Sequence, residues 1–391
     1  VKDDALERIR ARLDRIDRSI VERIGERMRI VGQVAAHKAD GTQAPRDERR
    51  ERELLARLDG IAADAGVDGW LVRAVYRTLL DHSVKAQTDH LVDRENPGRT
   101  PDLVVGYQGA DGCYSHLAGL AHHAGRPGAQ RFVGFESFRD LLDAVASGGI
   151  DVAMLPVENT TAGTITESYD LLARLDLALV GEEFLRVEHV LIGLRPVPLA
   201  NIRRIRSHPM ALAQCSRFLE DLSNVLVERY PDTALACDAL LAEQDLSQAA
   251  IASELAAERR GLAVLKRGIA DAADNVTRFV VVAREPISVD PRVPCRTSVV
   301  LALRHEHGAL YDALGVLARH GLNLTKLESR PRPGSAWEYH FTLDFEGNLA
   351  SDDARAAVEE LRARTPFLKV LGCYPRRPRP PTVAETALTP G

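Results

Sequence analysis

Cysteine is scarce and without pattern in this chain of 391 residues: the five thiols, at positions 113, 215, 237, 295 and 373, form no CxxC pair and no zinc-like spacing. With no signal peptide ahead of them, they predict a reducing, cytoplasmic setting. Long apolar runs are missing as well. No segment reaches the roughly 18–20 uninterrupted apolar residues of a bilayer span, so a soluble protein with no membrane partner is expected. Nor is there a surplus of positive charge, since 51 lysines and arginines face 56 acidic residues for a net charge of −5. Such a chain has no basic excess with which to displace the counterions of a polyanion, and nucleic acid is disfavoured as a partner. His305-Glu306-His307 is not an HExxH arrangement and reads as a strand-end surface pair, so no metal is predicted. The glycines of Gly106-Tyr107-Gln108-Gly109-Ala110-Asp111-Gly112 do not follow the G-x-G-x-x-G fingerprint, and Glu136 as a candidate ribose acid cannot repair that spacing. No cofactor is expected.

What the chain has is bulk: 45% hydrophobic residues, and a length that implies two to four domains at roughly 100–200 residues each. Charge is concentrated near the N-terminus, most densely in Arg46-Asp47-Glu48-Arg49-Arg50-Glu51-Arg52-Glu53. Breaks rich in proline and other terminators follow at residues 93–101 and 284–294. They divide the chain into modules at 1–92, 102–285 and 297–374, and the proline-rich 375–391 reads as a loose tail.

In the first module Leu6, Ile9, Leu13, Ile16, Ile20, Ile24, Met28, Val31 and Ala35 recur every three or four residues, the stripe of one continuous helix to about Lys38. It would be on the order of 50 Å long, more than a small domain covers alone, so a second protomer is the expected cover. Gly41 and Pro45 end it; further helices run from about Asp47 to Leu58 and from about Gly69 to Leu91. At about 100° per residue, Arg27 and Lys38 fall within about 20° of one another, whereas Arg10 points about 100° away. Asp47, Arg50 and Glu51 share a face, as do Ser83 and Gln87. By spacing alone these could be solvated surface pairs. As a set they resemble the all-helical chorismate mutases, three-helix domains that pair as intertwined dimers. That resemblance implies an active site of Arg27, Lys38, Asp47, Arg50, Glu51, Ser83 and Gln87 from one chain with Arg10 from the partner. It also implies the roles. The rearrangement of chorismate to prephenate needs no nucleophile and no proton transfer, so positioning and charge stabilisation are all a protein can supply. Arg10 and Arg27 would clamp carboxylates, Lys38 and Gln87 would donate to the ether oxygen, and Glu51 would hold the ring hydroxyl.

The central module alternates short apolar strands with helices and ends on the strand Thr277–Ala283, as a two-lobed α/β fold with a cleft would. Leu155-Pro156-Val157-Glu158-Asn159-Thr160-Thr161 is an island of small polar residues at a strand end, and by itself an ordinary loop. Taken with Gly106-Tyr107-Gln108-Gly109, Tyr114-Ser115, Ser207-His208-Pro209 and Thr277-Arg278-Phe279, it resembles prephenate dehydratase, with a periplasmic-binding-protein-like fold. Cys113, Leu235 and Cys237 depart from that family's commonest residues. The resemblance implies loss of CO₂ and hydroxide from prephenate, with Tyr114, Ser115, Glu158, Asn159, Thr160, Thr277, Arg278 and Phe279 around the substrate. Thr277 would donate to the departing hydroxyl, and Arg278 would serve a carboxylate or orient the loop.

Residues 297–374 follow a β-α-β-β-α-β order, that of a ferredoxin-like α+β unit, with its fourth element expected at Trp337–Phe345. Gly308-Ala309-Leu310-Tyr311 and Glu328-Ser329-Arg330-Pro331 resemble the amino-acid-sensing ACT domain. That likeness implies L-phenylalanine as an effector, held by Gly308, Ala309, Leu310, Asn323, Leu324, Glu328, Ser329, Arg330 and Pro331 between paired domains. A bifunctional, feedback-inhibited enzyme acting as a homodimer is therefore expected, with pairing into tetramers left open. The alternatives are a dehydratase with an inactive helical domain and a sensor without chemistry.

Overall fold

The computed structural model describes residues 2–98, 102–331 and 339–380, and the chain separates into two compact units. The first comprises three helices, α1 (Lys2–Ala39), α2 (Glu48–Asp64) and α3 (Gly69–Glu95), with the later segment Ser288–Val293. Both shorter helices start on an aspartate: Asp47 accepts the Arg50 N–H and Asp68 that of Trp70, satisfying donors left over in the first turn. Helix α1 packs its C-terminal part, where Ala35 and Ala39 are buried, but Leu6, Ile9, Leu13, Ile16 and Ile20 are 44% to 58% exposed. Segment 288–293 lies in the stretch read from sequence as a structure-terminating break, yet it is anchored here. Asn96 exchanges hydrogen bonds with the Ser288 backbone, and Arg292, paired to Asp290 at 2.6 Å, donates to the carbonyls of Lys38 and Gly41.

The second unit begins with β1 (Leu103–Gln108), α4 (Tyr114–His123), β2 (Gln130–Phe135), α5 (Phe138–Ser147), β3 (Val152–Asn159), β4 (Gly163–Thr164), α6 (Thr166–Arg174) and β5 (Ala178–Arg186). The chain then crosses to a second lobe of β6 (Val190–Gly193), β7 (Arg204–Ser207), α7 (Pro209–Ala213), α8 (Ser216–Glu220), β8 (Leu226–Arg229), α9 (Thr233–Glu243), β9 (Gln248–Ala252), α10 (Glu254–Arg260) and β10 (Ala263–Lys266). It returns as β11 (Val276–Ala283). The two lobes are two sheets, ordered β2-β1-β3-β11-β5 and β10-β6-β9-β7-β8. Because β11 inserts antiparallel between β3 and β5, it carries Thr277 opposite Asn159 and Arg278 opposite Glu158. Alternation along β11 sends Phe279 and Val281 into the core shared with Tyr107 and Met154, and Val280 and Val282 into the core shared with Leu155 and Tyr374.

Beyond Pro294 come β12 (Cys295–Ala302), α11 (Ala309–Arg319), β13 (Asn323–Pro331), β14 (Tyr339–Glu346), α12 (Asp352–Arg364) and β15 (Phe367–Pro375), an antiparallel sheet ordered β13-β14-β12-β15. Trp337 of the expected fourth element lies outside the described residues. Gly372 of β15 sits so close to the Leu179 carbonyl of β5 that a Cβ there would collide with it. Part of the tail expected from 375 is held: the Arg376 N–H donates to Pro294 and that of Arg377 to Glu182, while residues 381–391 lie outside the described residues.

Candidate active sites

In the helical unit α1 and α3 bring Arg27, Ser83 and Gln87 together. Arg27 donates to the Ser83 hydroxyl at 2.7 Å and the Leu79 carbonyl at 3.3 Å, and Gln87 donates to the Ser83 carbonyl at 3.2 Å. The Gln87 Oε1 is buried with no partner among the described residues. About 16 Å further along α1, eleven residues on at 1.5 Å each, Lys38 donates to the carbonyls of Ala44 and Pro45. An ammonium has three hydrogens, so one remains for a ligand. Burial lowers the Lys38 pKa, and the neighbouring Asp47 and Glu51 carboxylates oppose that fall.

Two expected residues stand differently from the sequence reading. The Asp47 carboxylate is committed to the α2 cap, which helps hold its pKa below the usual range. Arg50 points to solvent, 64% exposed and 3.6 Å from Glu53, off the α2 face that Leu54, Leu55, Leu58 and Ala62 bury. Arg10 lies roughly 25 Å along α1 from Arg27, too far to share its site within one chain. Arg46, which no spacing singled out, pairs with both Glu51 at 3.0 Å and Asp81 at 2.6 Å.

In the two-lobed unit Asn159 is the junction. Its Oδ1 accepts the backbone N–H groups of Thr161 and Ala162 and the Thr161 hydroxyl, while its Nδ2 donates to Thr277 Oγ1 and Asn275 Oδ1, each at 2.8 Å. From the second lobe, Gln214 donates to Thr161 at 2.7 Å, and its Oε1 lies 2.9 Å from Nε2 of His189. His189 Nδ1 and the Glu188 carbonyl both lie 2.8 Å from the Tyr114 hydroxyl. Tyr114 is therefore tied up rather than presented to a ligand, and burial raises its pKa well above the usual value. Ser115 is buried in the first turn of α4, beneath the loop in which Gly109 adopts φ +107. A side chain at Gly109 would strike Asp232. Asp232 itself caps α9, and burial raises its pKa. His189, Gln214, Thr161 and Asn275 were not singled out as site residues; none stands in a periodic or charged pattern, and only the return of β11 and the meeting of the lobes assembles them.

The other face of the same strand pair holds a different set. Arg278 is not available to a substrate carboxylate: its guanidinium bonds Glu182 at 2.9 Å, Asp344 at 2.5 Å and the Tyr374 hydroxyl at 2.9 Å. Glu158 faces the same way, 3.5 Å from Lys326 and 3.9 Å from Arg278. Thr160 spans the loop before β11, donating to the Asp274 carbonyl and accepting the Val276 N–H. Phe279 is 1% exposed and packs in the core. The eight expected residues are thus divided by the pleat of β3 and β11, with Asn159 and Thr277 on the cleft side and Glu158 and Arg278 on the side of the C-terminal sheet.

Of the C-terminal residues, Gly308 caps α11 in the left-handed region at φ 80, Ala309 and Leu310 open that helix, and Asn323 and Leu324 begin edge strand β13. Glu328 accepts from Thr164 at 3.1 Å and Arg330 lies 3.4 Å from Asp170, so both are turned toward the first lobe.

A helical unit with an arginine and a lysine spaced for a small polyanion, joined to a two-lobed unit whose cleft is lined with hydroxyls and amides, defines the class: a multidomain enzyme of small carboxylated metabolites. Residues 9–88 match the family model for chorismate mutase type II and residues 105–287 that for prephenate dehydratase. The bifunctional chorismate mutase/prephenate dehydratase of Enterobacter agglomerans is 34% identical over 373 residues, 95% of this chain and 96% of that protein. Its counterpart in Escherichia coli strain K12 is 34% identical over 369 residues, 94% of this chain and 95% of that one. The crystal structure of a prephenate dehydratase from Arthrobacter aurescens in complex with L-Phe is 30% identical, with a TM-score of 0.64 over 73% of this chain and 94% of that chain. This chain belongs to the family of bifunctional chorismate mutase/prephenate dehydratases.

Proposed function

We propose that the chain makes phenylpyruvate from chorismate in two steps, at separate sites, under control by L-phenylalanine. The observation that carries this reading is that both family matches occur in one chain, in the same order and over nearly the same length as in the bifunctional relatives. In the helical unit Arg27, held by Ser83, clamps one carboxylate of chorismate and Arg10 of a second copy clamps the other. The third Lys38 hydrogen and the second Gln87 amide hydrogen stabilise the ether oxygen as its bond to carbon breaks. Glu51 holds the ring hydroxyl, and Asp47 and Arg50 support α2. The exposed stripe of α1 is the surface on which the homodimer forms, and it puts Arg10 into the partner's site.

In the cleft, the bond between the ring and its carboxylate breaks, CO₂ departs, and the electron pair enters the ring as the opposite C–O bond breaks. Thr277, oriented by Asn159, donates to the departing hydroxide, while Tyr114 and Ser115 shape the loop that meets the substrate carboxylates. Glu158, Thr160, Arg278 and Phe279 hold β3 and β11 in register behind it. The C-terminal sheet is an ACT domain, and L-phenylalanine binds at Gly308–Leu310 and the start of β13 in paired copies. The L-Phe complex of the Arthrobacter aurescens relative supports that reading. Purified protein supplied with chorismate is expected to yield phenylpyruvate, and less of it when phenylalanine is added. Unconsumed chorismate would remove the mutase, prephenate as the end product would remove the dehydratase, and indifference to phenylalanine would remove the effector.

A further inference from the structure

We propose that a hydrogen-bond relay from His189 through Gln214, Thr161 and Asn159 has a fixed direction that makes Thr277 a donor into the cleft, with His189 as a positioning residue. The proposal rests on the dehydratase reading of Thr277.

The direction follows from one anchored atom. Asn159 Oδ1 receives two backbone N–H groups, from Thr161 and Ala162 at 3.0 and 2.9 Å, and an N–H can only donate. The carboxamide therefore cannot be flipped, and its Nδ2 must face Thr277. Thr277 Oγ1 thus accepts, and its own hydrogen is left to point elsewhere; among the described residues no acceptor meets it. The same anchor sets the other direction. The Thr161 hydroxyl lies 2.6 Å from Asn159 Oδ1, which has no hydrogen, so Thr161 donates there and must accept from Gln214. That fixes Gln214 with Nε2 toward Thr161 and Oε1 toward His189, so His189 must carry a hydrogen on Nε2. Burial lowers the His189 pKa, which favours a neutral ring with a single N–H. Its Nδ1 is then an acceptor that shares the single Tyr114 hydroxyl hydrogen with the Glu188 carbonyl, each 2.8 Å away.

Every hydrogen in this chain is directed from His189 toward Thr277. His189, Asn159 and Thr277 are buried, and reversing a link at either end would leave two acceptors or two donors facing each other there. The relay also spans the two lobes, through the bond from Gln214 to Thr161, so His189 and Gln214 hold in place the loop that orients Asn159 and Thr277. A threonine is a poor acid in bulk; here its one hydrogen has no competing use. Beside it, the buried Nδ2 of Asn275 has no partner among the described residues and is a second donor at the same junction.

The test is dehydratase kinetics on the full chain with prephenate, with mutase turnover of the same preparation as a check on folding. Thr277→Val is expected to lower kcat at least about 100-fold. His189→Phe and Thr161→Val are expected to lower kcat about 10- to 100-fold with KM within about twofold, the mark of an interaction made in the transition state. His189→Gln, whose amide N–H reaches the Nε2 position, is expected to recover kcat to within about threefold of the parent. In the parent, ¹⁵N spectra of histidine-labelled protein should show the resonance lost in His189→Phe as the Nε2–H tautomer. Full turnover by Thr277→Val would overturn the reading of Thr277 and the relay with it. Loss in Thr277→Val with an unimpaired His189→Phe would overturn the relay alone. So would a His189→Gln as slow as His189→Phe, a change confined to KM, or an Nδ1–H tautomer.

Discussion

Arg278 shows how far one residue's role can shift between sequence and structure. Its neighbours Thr277 and Phe279 face the cleft side of β11, and the pleat turns the guanidinium the other way, into a site where Glu182 and Asp344 are fully buried. Arg296 shares Glu182 at 2.9 Å, and Ser298 bonds Tyr374 at 2.7 Å, so the cluster fastens the C-terminal sheet to the strand that carries Thr277. Charges buried this deeply tolerate no loss of partner. Asp344→Ala is expected to cost about 3–5 kcal/mol in urea unfolding of the full chain, since it leaves Arg278 and Arg296 sharing the one buried carboxylate of Glu182. A change under about 1 kcal/mol would mean that water compensates Arg278. Lys38 shows the reverse case, a residue whose two contacts are backbone carbonyls and leave one hydrogen available.

Helix α1 is the element that the sequence describes best and the single chain satisfies least. Its periodicity predicted both its length and a stripe wider than one small unit covers, and five large residues of that stripe stand about half exposed. Burying the exposed half of each would contribute roughly 1 kcal/mol, summed over the stripes of two copies. Ile16→Asp puts a carboxylate in the middle of that stripe. It is expected to shift the sedimentation coefficient toward the monomer and to abolish chorismate turnover by separating Arg10 from Arg27. A dimer of unchanged activity would show that the stripe is not the interface. The helix starts read near Asp47 and Gly69 agree with the observed ones, where Asp47 and Asp68 are the caps, because capping is local. The direction of Arg50 was not legible, since it depends on which face of α2 packs inward.

For the molecule as a whole, order along the chain does not equal membership of a unit. Ser288–Val293 follows the last strand of the two-lobed unit yet belongs to the helical one, through Asn96 and through the Asp290 and Arg292 pair that clamps the end of α1. Hydrogen bonding to Arg292 lowers the Asp290 pKa, so the stability it contributes is present above the usual carboxylate value near 4 and is lost as pH falls through the lower folded value. Melting of the helical unit should therefore weaken below about pH 4, and Asp290→Asn should flatten that acid limb; an identical acid limb in the variant would dismiss the clamp. The sequence by itself determined the helices, the alternation of the lobes, the module order and the family, because periodicity, caps and local motifs act between residues close in the chain. Only the tertiary structure decided that Asn159 and Thr277 face the cleft while Glu158 and Arg278 face away, and that His189 and Gln214 join them. Those outcomes depend on the antiparallel register of β11, whose partners on β3 are more than a hundred residues away, and no local pattern encodes a register.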